Sequence, residues 1–295
     1  ELGAESATGA AHALTWQAYA SGGVLAAVIL TLVFSRLHRT VVVLLGAAVV
    51  LVAHIVEQKP AFSHIDLNVL ALLASMMVIV NAMRRTGAFE WLAIKTAKAA
   101  GGDPLKIMIL FMLVTAFVSA FLDNVTTILL SAPISMAVCA QLRLDPIPFL
   151  ITQTVASNIG GTATLIGDPP NVLIGSAAKL SFAAFLFNLA PAVVLMLGLY
   201  GFYLRLFFRH KVGFVSATLR ARMMALDERR AITNLPLLRR CLVVLVLVVV
   251  AFLLHGVLEL EAGTVALAGG ALMLLLSGIG VREALQEIEW DTLFF

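Results

Sequence analysis

Hydrophobic positions along this chain form a series of apolar segments, and short polar or basic turns separate them. The predicted membrane spans cover residues 19–34, 40–56, 67–83, 182–204, 241–258 and 262–279. A membrane-crossing helix needs about 20 mostly apolar residues, and segments of roughly that length recur over the whole chain. The pattern therefore predicts an all-α polytopic membrane protein.

The middle of the chain departs from this simple pattern. Residues 105–140 consist of two apolar arms that meet at Asp123 and Asn124. The next apolar segment, 147–178, is interrupted at 157–171 by three glycines, two prolines and an aspartate. Backbone groups freed at membrane depth are tolerated only where they pack in protein or line a watery cavity. We therefore predict a hairpin over 105–140, a broken helix over 147–178 and a binding site at the break.

The dipoles of the two half-helices support a site at this break. The half-helix that ends near Ser157 directs carbonyl groups into the gap, and the one that starts near Pro169 directs amide N–H groups there. A gap of this kind can hold an ion and a polar solute together.

The remaining segments define the domain organisation and the orientation. We predict an extracytoplasmic segment over 1–18, a first transport unit over 19–204, a basic cytoplasmic connector over 205–240 and the start of a second unit over 241–295. Residues 86–100 read as an amphipathic helix at the interface. All of the 20 Lys and Arg residues except Lys59 and Lys179 fall on one predicted side, which assigns that side to the cytoplasm. The protein is thus expected in the cell inner membrane with its amino terminus outside.

Composition excludes several other classes of protein. Hydrophobic residues make up 61% of the chain and charged residues only 13%, with a mean hydropathy of +1.02. Soluble domains carry about 25% charged residues. The net charge of +3 comes from basic residues placed by the membrane topology, so no nucleic-acid partner is predicted. The lipid bilayer is the predicted surrounding of the protein. No sequence feature calls for a cofactor.

Histidines and cysteines are scattered along the chain. Cys139 and Cys241 lie at segment edges outside any Cys-x-x-Cys or Cys/His cluster, which favours packing roles over a zinc site or disulfide. His54, His64 and His255 lie near span ends, where we interpret them as histidines with satisfied hydrogen bonds. No metal site is predicted from these residues.

Two carboxylates, Asp123 and Asp168, lie deep in apolar sequence, where charges are costly and mark ion or proton pathways by default. Asp123 has an alternative interpretation as part of an Asp-Asn surface turn. Asp168 has one as the N-cap before Pro169, and that role is compatible with a site. Neutral hydroxyl and amide side chains surround both: Asn124, Thr126, Thr127, Ser157, Asn158, Thr162, Thr164 and Asn171. Together they suit either a Na+ cage near Asp123, Asn124 and Asn158 or a proton-titrating pocket.

At these two motifs the chain resembles the ion transporter superfamily, in the branch that holds arsenite permeases, NhaD-type sodium/proton antiporters and the melanosomal P protein. The resemblance is carried by Asp-Asn-Val-Thr-Thr at 123–127 with Pro133 downstream, Ser-Asn-Ile-Gly-Gly-Thr at 157–162 and Ile-Gly-Asp-Pro-Pro-Asn at 166–171. It covers residues 67–204 well and the flanks only through the order of spans.

The resemblance implies an inverted-repeat transporter, with a re-entrant hairpin and a broken helix in each repeat and with elevator-type movement. Residues 19–204 would form the first repeat, and the second hairpin and broken helix are expected after Phe295. It leaves open a homodimer and an arsenical pump ATPase subunit as partners. The implied proton-coupling residues are Asp123 and Asp168. The implied substrate- and ion-binding residues are Asp123, Asn124, Thr126, Thr127, Ser157, Asn158, Gly160, Gly161, Thr162, Asp168 and Asn171.

The hairpin tip bears on the choice of substrate. Dicarboxylate carriers of the superfamily show Ser-Asn-Thr at this tip, whereas here Asp123 precedes Asn124. The added carboxylate would repel a dianion, which disfavours citrate and succinate. Arsenite at neutral pH is an uncharged trihydroxide that small oxygen and amide groups can bind, although the two cysteines exclude a three-thiolate arsenic site within this segment. We predict arsenite and antimonite efflux driven by inward movement of the coupling ion H+, with sodium/proton antiport on Na+ as the alternative.

An enzyme is not predicted. Aspartyl intramembrane proteases also carry two intramembrane aspartates, but they show Gly-x-Gly-Asp at one of them. Here Leu165 stands two residues before Gly167, and Leu122 stands where a tyrosine would precede the other aspartate. The prolines at 169 and 170 would also interrupt the helix that such an enzyme needs. A passive channel differs from a transporter because it does not concentrate solute.

Overall fold

A computed structural model describes residues 2–209, 212–213, 215–256 and 258–295, with side chains from Trp16 onward. Within these ranges the chain forms α-helices, one short 3-10 turn and no strand, which confirms the predicted all-α class. The helices are α1 (Leu2–Phe34), α2 (Arg39–Val52), α3 (Gln58–Ser63), α4 (Leu67–Arg84), α5 (Ala88–Ala99), α6 (Pro104–Ser119), α7 (Asn124–Leu142), α8 (Ile147–Gly161), α9 (Pro169–Ala177), α10 (Phe182–Phe208), α11 (Ala217–Met224), α12 (Leu235–Leu254), α13 (Ala262–Ser277), α14 (Val281–Gln286) and α15 (Trp290–Phe294). The 3-10 turn is Glu228–Ala231.

Five stretches of helix within the described residues are long and apolar enough to cross a membrane, and they lie in α1, α4, α7, α10 and α12. The apolar helices α2, α6 and α13 are shorter. Each predicted span corresponds to one helix, so the prediction of a multi-pass membrane protein is confirmed. α2 ends before the predicted residue 56 because His54 adopts a left-handed backbone conformation with φ of 55°.

The chain divides into two compact units. The first contains Glu1–Leu67 and Glu289–Phe295. In it α1 packs on α2, and α15 packs on the start of α2. The Thr40 hydroxyl donates to the Asp291 carbonyl at 3.0 Å, and the Arg39 guanidinium lies over the Phe295 ring.

The second unit, Asn68–Ile288, has its main core around α6 and α8. Met108, Met112 and Phe149 are fully buried in this core. Cys139 also lies in it, and both Cys139 and Cys241 are buried and free, as predicted for packing residues. The hairpin of α6 and α7 thus packs against the first half of the broken helix.

His255 joins the start of α10 to the turn between α12 and α13. Its Nε2 accepts the Phe182 amide at 2.8 Å, and its Nδ1 lies 2.9 Å from the Leu260 carbonyl. This pairing confirms the prediction of a satisfied histidine at a span end.

The connector between α10 and α12 docks onto the base of the hairpin. α11 packs on α7, and the 3-10 turn packs on α5. Gly87 has φ of 75°, and a Cβ there would overlap the backbone of Ala231. α5 itself contacts α6 and α7, and its Ala97 is buried in the main core. Residues 86–100, which were predicted to lie at the membrane interface, therefore pack between the hairpin and the connector.

Candidate functional site

The hairpin tip is built around Asp123, which lies between α6 and α7. Its backbone is extended, and its carboxylate Oδ1 accepts the Thr126 amide at 2.8 Å, so Asp123 is the N-cap of α7. Capping by a carboxylate satisfies one free N–H and favours the helix start. Asp123 and Asn124 remain half-exposed, and the second carboxylate oxygen is free of the capping bond. The aspartate therefore shapes the tip and can still meet a ligand.

The broken helix stops at Gly161 and resumes at Pro169, and side chains satisfy the backbone in between. The Thr164 hydroxyl donates to the Ala120 carbonyl and accepts the amides of residues 166 and 167, each at 3.2 Å. The Asn171 Nδ2 donates to the carbonyls of Gly161 at 3.0 Å and Thr164 at 2.9 Å. The break is therefore a defined loop that α6 and α9 hold in place.

Asp168 occupies the N-cap position of α9, followed by Pro169 at the first helical position. This is the N-cap position that the sequence offered as an alternative for Asp168, although its side chain makes no capping hydrogen bond within the described residues. The extended backbone at φ of −153° and the following prolines start this helix instead. The half-buried carboxylate interacts electrostatically with Asp123.

The tip and the break meet through direct hydrogen bonds, and we call residues 119–124 and 157–168 the tip–break junction. The Asn124 Nδ2 donates to the Asn158 Oδ1 at 2.9 Å. The Ser119 hydroxyl donates to the Ser157 carbonyl at 2.8 Å. Sequence reasoning missed Ser119, whose only signal is a small polar residue at the end of an apolar arm.

Glycines let the backbones of the junction approach closely. A Cβ at Gly160 would overlap the backbone of Ala116 in α6. A Cβ at Gly161 would lie 2.9 Å from the Gly167 carbonyl oxygen, and one at Gly167 would lie 2.7 Å from the Ser119 carbonyl oxygen. At each of these three glycines the Cβ would lie closer to backbone atoms than an ordinary contact allows, so only glycine fits without a backbone shift.

The other predicted site residues take different positions. The Ser157 hydroxyl donates to the Thr154 carbonyl at 3.0 Å, and the Thr162 hydroxyl donates to the Ile159 carbonyl at 2.7 Å, within or beside their own helix. Thr126 is buried beside the tip. Thr127 does not face the junction, because its side chain lines a cavity between α5, α6, α7 and α8. The junction thus contains the polar side chains of Asp123, Asn124, Asn158 and Asp168.

Carbonyl groups at the end of α8 were expected to point into the gap. Several of them accept hydrogen bonds from the break instead. The Gly160 carbonyl accepts the Ala163 amide at 3.0 Å, and the Asn158 carbonyl accepts the Thr162 amide at 3.3 Å. A cation at the junction would therefore rely mainly on side-chain oxygens.

Two sets of ion pairs join segments outside the junction. Lys98 on α5 contacts the Glu228 carboxylate at 2.5 Å and the Leu226 carbonyl at 2.9 Å. This hydrogen bond from Lys98 lowers the pKa of Glu228 below its usual value. Arg85, which follows α4, pairs with Glu283 at 2.8 Å and Glu287 at 2.5 Å, and the hydrogen bond to Glu287 raises the pKa of Arg85.

Comparison with known proteins places this geometry in a family. The family described as Citrate transporter (CitMHS) matches residues 29–295. A protein of Mycobacterium tuberculosis (strain ATCC 25618 / H37Rv) named as an uncharacterized transporter is 46% identical over 265 residues, which are 88% of this chain and 61% of the relative. The 46 kDa membrane protein of Mycobacterium leprae is 43% identical over 264 residues, with the same two shares.

The P protein of Homo sapiens is 39% identical over 184 residues, which are 59% of this chain and 22% of that protein. This match confirms the branch that the two motifs indicated. The chain spans 61% of the length of the mycobacterial relatives that it matches. The family description and the names of these relatives indicate a transporter, in agreement with the prediction that the protein is not an enzyme. The chain therefore belongs to the citrate transporter family, within the ion transporter superfamily.

Proposed function

We propose that the full-length protein is a secondary active transporter that exports arsenite or antimonite in exchange for protons, with its solute site at the tip–break junction. The observation that carries the proposal is the Asn124–Asn158 hydrogen bond, which holds the hairpin tip against the helix break. Asp123 belongs to this tip and Asp168 to this break, and the two carboxylates interact electrostatically. Repulsion between two carboxylates is relieved by a bound proton or cation, which is what ion coupling requires.

The charge of the junction supports a neutral solute. Residues 107–142 and 144–178 contain no Lys, Arg or His. An anion bound among them would face two carboxylates and no cationic side chain. Arsenite and antimonite are uncharged trihydroxides at neutral pH, and they can exchange hydrogen bonds with the amide groups of Asn124 and Asn158. Cys139 is buried in the core away from these amides, so thiolate binding of arsenic plays no part in this proposal.

Coupling follows from the two carboxylates. A proton bound at Asp123 or Asp168 removes the repulsion and favours one arrangement of the tip against the break. A solute bound between the amides favours the arrangement in which the carboxylates are charged and exposed. Exchange results because each ligand binds better to a different state of the same site. Elevator-type movement of the hairpin and broken helix would then carry the site across the membrane.

Sodium/proton antiport is the second candidate, favoured by one observation. The capping bond of Asp123 uses Oδ1 and leaves the other oxygen available, and Asn124 uses its amide nitrogen rather than its Oδ1 for Asn158. Neither of these two oxygens takes part in the bonds named, and both are hard ligands of the kind that Na+ accepts. Citrate, named in the family description, is disfavoured by the same carboxylates.

Orientation, location and assembly belong to the same proposal. The distribution of Lys and Arg favours an inner-membrane protein with its basic connector in the cytoplasm and its amino terminus outside. A homodimer suits elevator movement because a fixed partner surface is needed, and an arsenical pump ATPase subunit is the accessory partner that the arsenite permeases suggest. Light scattering of the purified full-length protein, alone and with such an ATPase, tests both.

Proton movement in proteoliposomes tests the function. The full-length protein is reconstituted with an internal pH dye, and arsenite, Na+ or citrate is added to separate samples. The control is Asp123→Asn, because asparagine also caps helices and should preserve the start of α7. A pH change with arsenite that Asp123→Asn abolishes supports the proposal. A response to Na+ alone moves the protein to sodium/proton antiport, and a response to citrate alone refutes the charge argument.

A further inference from the structure

A second polar site lies inside the hairpin, apart from the tip–break junction. It is a cavity of about 30 Å³ between α5, α6, α7 and α8. Thr127, Ser131 and Ser135 line it from α7, Gln153 from α8 and Thr115 from α6. Apolar side chains, including those of α5, form the rest of its wall.

The cavity collects buried oxygen atoms that have no partner. Thr127 Oγ1, Ser131 Oγ, Ser135 Oγ and Gln153 Oε1 make no hydrogen bond within the part of the chain that the structure describes. Thr127 and Ser135 are 1% exposed and Gln153 is 3% exposed. The Arg220 Nε is the one further unpartnered buried side-chain atom of the described residues. Buried polar groups are normally hydrogen-bonded, so four such oxygens on one cavity indicate a ligand.

The Gln153 side chain has a defined orientation at this cavity. Its Nε2 donates to the Thr115 hydroxyl at 3.2 Å, which fixes the amide. The Oε1 of the same amide is therefore left as an acceptor at the cavity. A ligand that donates hydrogen bonds fits this oxygen, whereas the three hydroxyls can both donate and accept.

Size and spacing decide which ligand fits. A water molecule needs about 10–15 Å³ of such a cavity, so the volume suits about two waters and is too small for arsenite. Thr127, Ser131 and Ser135 follow one another by a turn, and the first and last are about 12 Å apart along α7. One cation cannot contact all three, and no charged side chain is among the described residues of the lining. A short file of water molecules satisfies the whole row.

The row of hydroxyls ends one helical turn from Asp123 at the hairpin tip. Ser135 is nearest to the Arg143 end of α7, and Thr127 is one turn from Asp123. The Thr127 amide donates to the Asp123 carbonyl at 3.0 Å, so the two residues belong to the same helical turn. The cavity thus runs along the helix that Asp123 caps.

We propose that this cavity binds a short file of water molecules that carries protons along α7 to Asp123. This inference rests on the proposed function, in which Asp123 is a proton-coupling residue. Each hydroxyl oxygen accepts a proton from the water on one side and gives its own proton to the water on the other. One O–H bond forms and one breaks at each step, so a single proton moves and no charge stays on the hydroxyls.

Thr127→Val tests the proposal, because valine keeps the shape of threonine and removes the hydroxyl. Ser131→Ala is the second variant, at a half-buried position. Thr154→Val is the matched control, since its hydroxyl donates to the Leu150 carbonyl at 2.9 Å on an exposed part of α8. Each full-length variant is measured for thermal unfolding and for the rate of arsenite-driven pH change in proteoliposomes, in H2O and in D2O.

A hydrated site predicts that Thr127→Val lowers the unfolding temperature, because the bound water loses a partner. A dry site predicts an unchanged or higher temperature, because an unpaired hydroxyl is replaced by an apolar group, and this result would overturn the proposal. A proton path predicts a pH change about tenfold slower or more in Thr127→Val and Ser131→Ala. The half-saturating arsenite concentration should stay the same and the D2O effect should grow.

Failure of the proton path and failure of the proposed function give different experimental results. If the wild-type protein moves protons and Thr127→Val does so at the same rate, the proton path is wrong while the proposed function stands. If the wild-type protein shows no solute-driven pH change, the proposed function is wrong and the proton path falls with it. Thr154→Val should match the wild type in every measurement, and an equal loss there would overturn the assignment to the cavity.

Discussion

Gly160→Ala is the substitution whose effect follows most directly from the geometry of the junction. Gly160 lies in the last turn of α8, and a Cβ there would lie 2.6 Å from the Ala116 carbonyl carbon. Ordinary contacts are 3.4–4 Å. The neighbour is backbone and has no side-chain torsion that could relieve the overlap. α6 and α8 must therefore separate by roughly 1 Å to accept the alanine, because close-packed interiors have no spare room.

The expected loss of stability combines two opposing contributions. Overpacking of this kind costs about 1–3 kcal/mol. Alanine in place of glycine within a helix returns about 0.5–1 kcal/mol. We therefore expect a net decrease of about 1–2 kcal/mol in the free energy of unfolding. This corresponds to a fall in Tm of about 2–8 °C for a domain of this size.

Function should suffer as well, because the same shift separates the tip from the break. The Ser119–Ser157 bond at 2.8 Å crosses the contact that widens, and the Asn124–Asn158 bond at 2.9 Å joins the start of α7 to the same turn of α8. Affinity for solute and for the coupling ion should fall together. Alanine at Gly198 in α10 is the matched control, since a Cβ there meets nothing within 4 Å. It should leave affinity unchanged and leave Tm unchanged or higher.

The assay is thermal unfolding of the purified full-length variants in detergent, followed by the concentration dependence of transport in proteoliposomes. Wild-type Tm and affinity in Gly160→Ala would refute the argument that α6 and α8 meet backbone to backbone. A lower Tm with wild-type affinity would show that this contact is structural and does not support the site. An equal effect of Gly198→Ala would show that any added methyl group perturbs the protein.

Two further predictions concern the break and the base of the hairpin. Asn171→Ala removes the hydrogen bonds to the Gly161 and Thr164 carbonyls, so unfolding free energy should fall by about 1–3 kcal/mol for each carbonyl left unpaired, and an unchanged Tm would contradict this. The Lys98 hydrogen bond lowers the pKa of Glu228, so the pair stabilises the protein at neutral pH and this stabilisation is lost as the pH falls through that lowered pKa. Glu228→Gln should therefore lose less thermal stability on acidification than the wild type, and identical pH profiles would count against the pair.

The hairpin and the break could be predicted from the sequence because glycines, prolines and aspartates are rare in apolar helices. Asp123 with Asn124 marked the tip, and Gly160 with Gly161 marked the break, at the places where the structure has them. The sequence could not predict which of the two aspartates caps a helix with its side chain. Both Asp123 and Asp168 precede a helix, but only Asp123 has a side chain oriented to accept the N–H of the new turn.

Other features depend on distances that no local pattern contains. Whether Thr127 faces the junction or the cavity depends on the rotation of α7 against α5, α6 and α8. Lys98 and Glu228 pair across 130 positions of sequence, so the docking of the basic connector on α5 could not be inferred from its charge. Packing between segments distant in sequence determines both the orientation of Thr127 and the pairing of Lys98 with Glu228. The charge pattern predicted only that α5 and the connector lie on the same side of the membrane.

The central claim is that the tip–break junction binds the solute, and Asn158→Ala tests it most directly against Asn188→Ala. Both asparagines donate to the carbonyl four residues earlier in their own helix, Asn158 at 3.0 Å and Asn188 at 2.7 Å. Only Asn158 also contacts the hairpin tip, through Asn124. The measurement is the arsenite concentration that gives a half-maximal pH change in proteoliposomes. We predict a rise of about tenfold or more for Asn158→Ala, the loss of about 1.4 kcal/mol of binding, and no change for Asn188→Ala. Equal values for both variants would contradict the account.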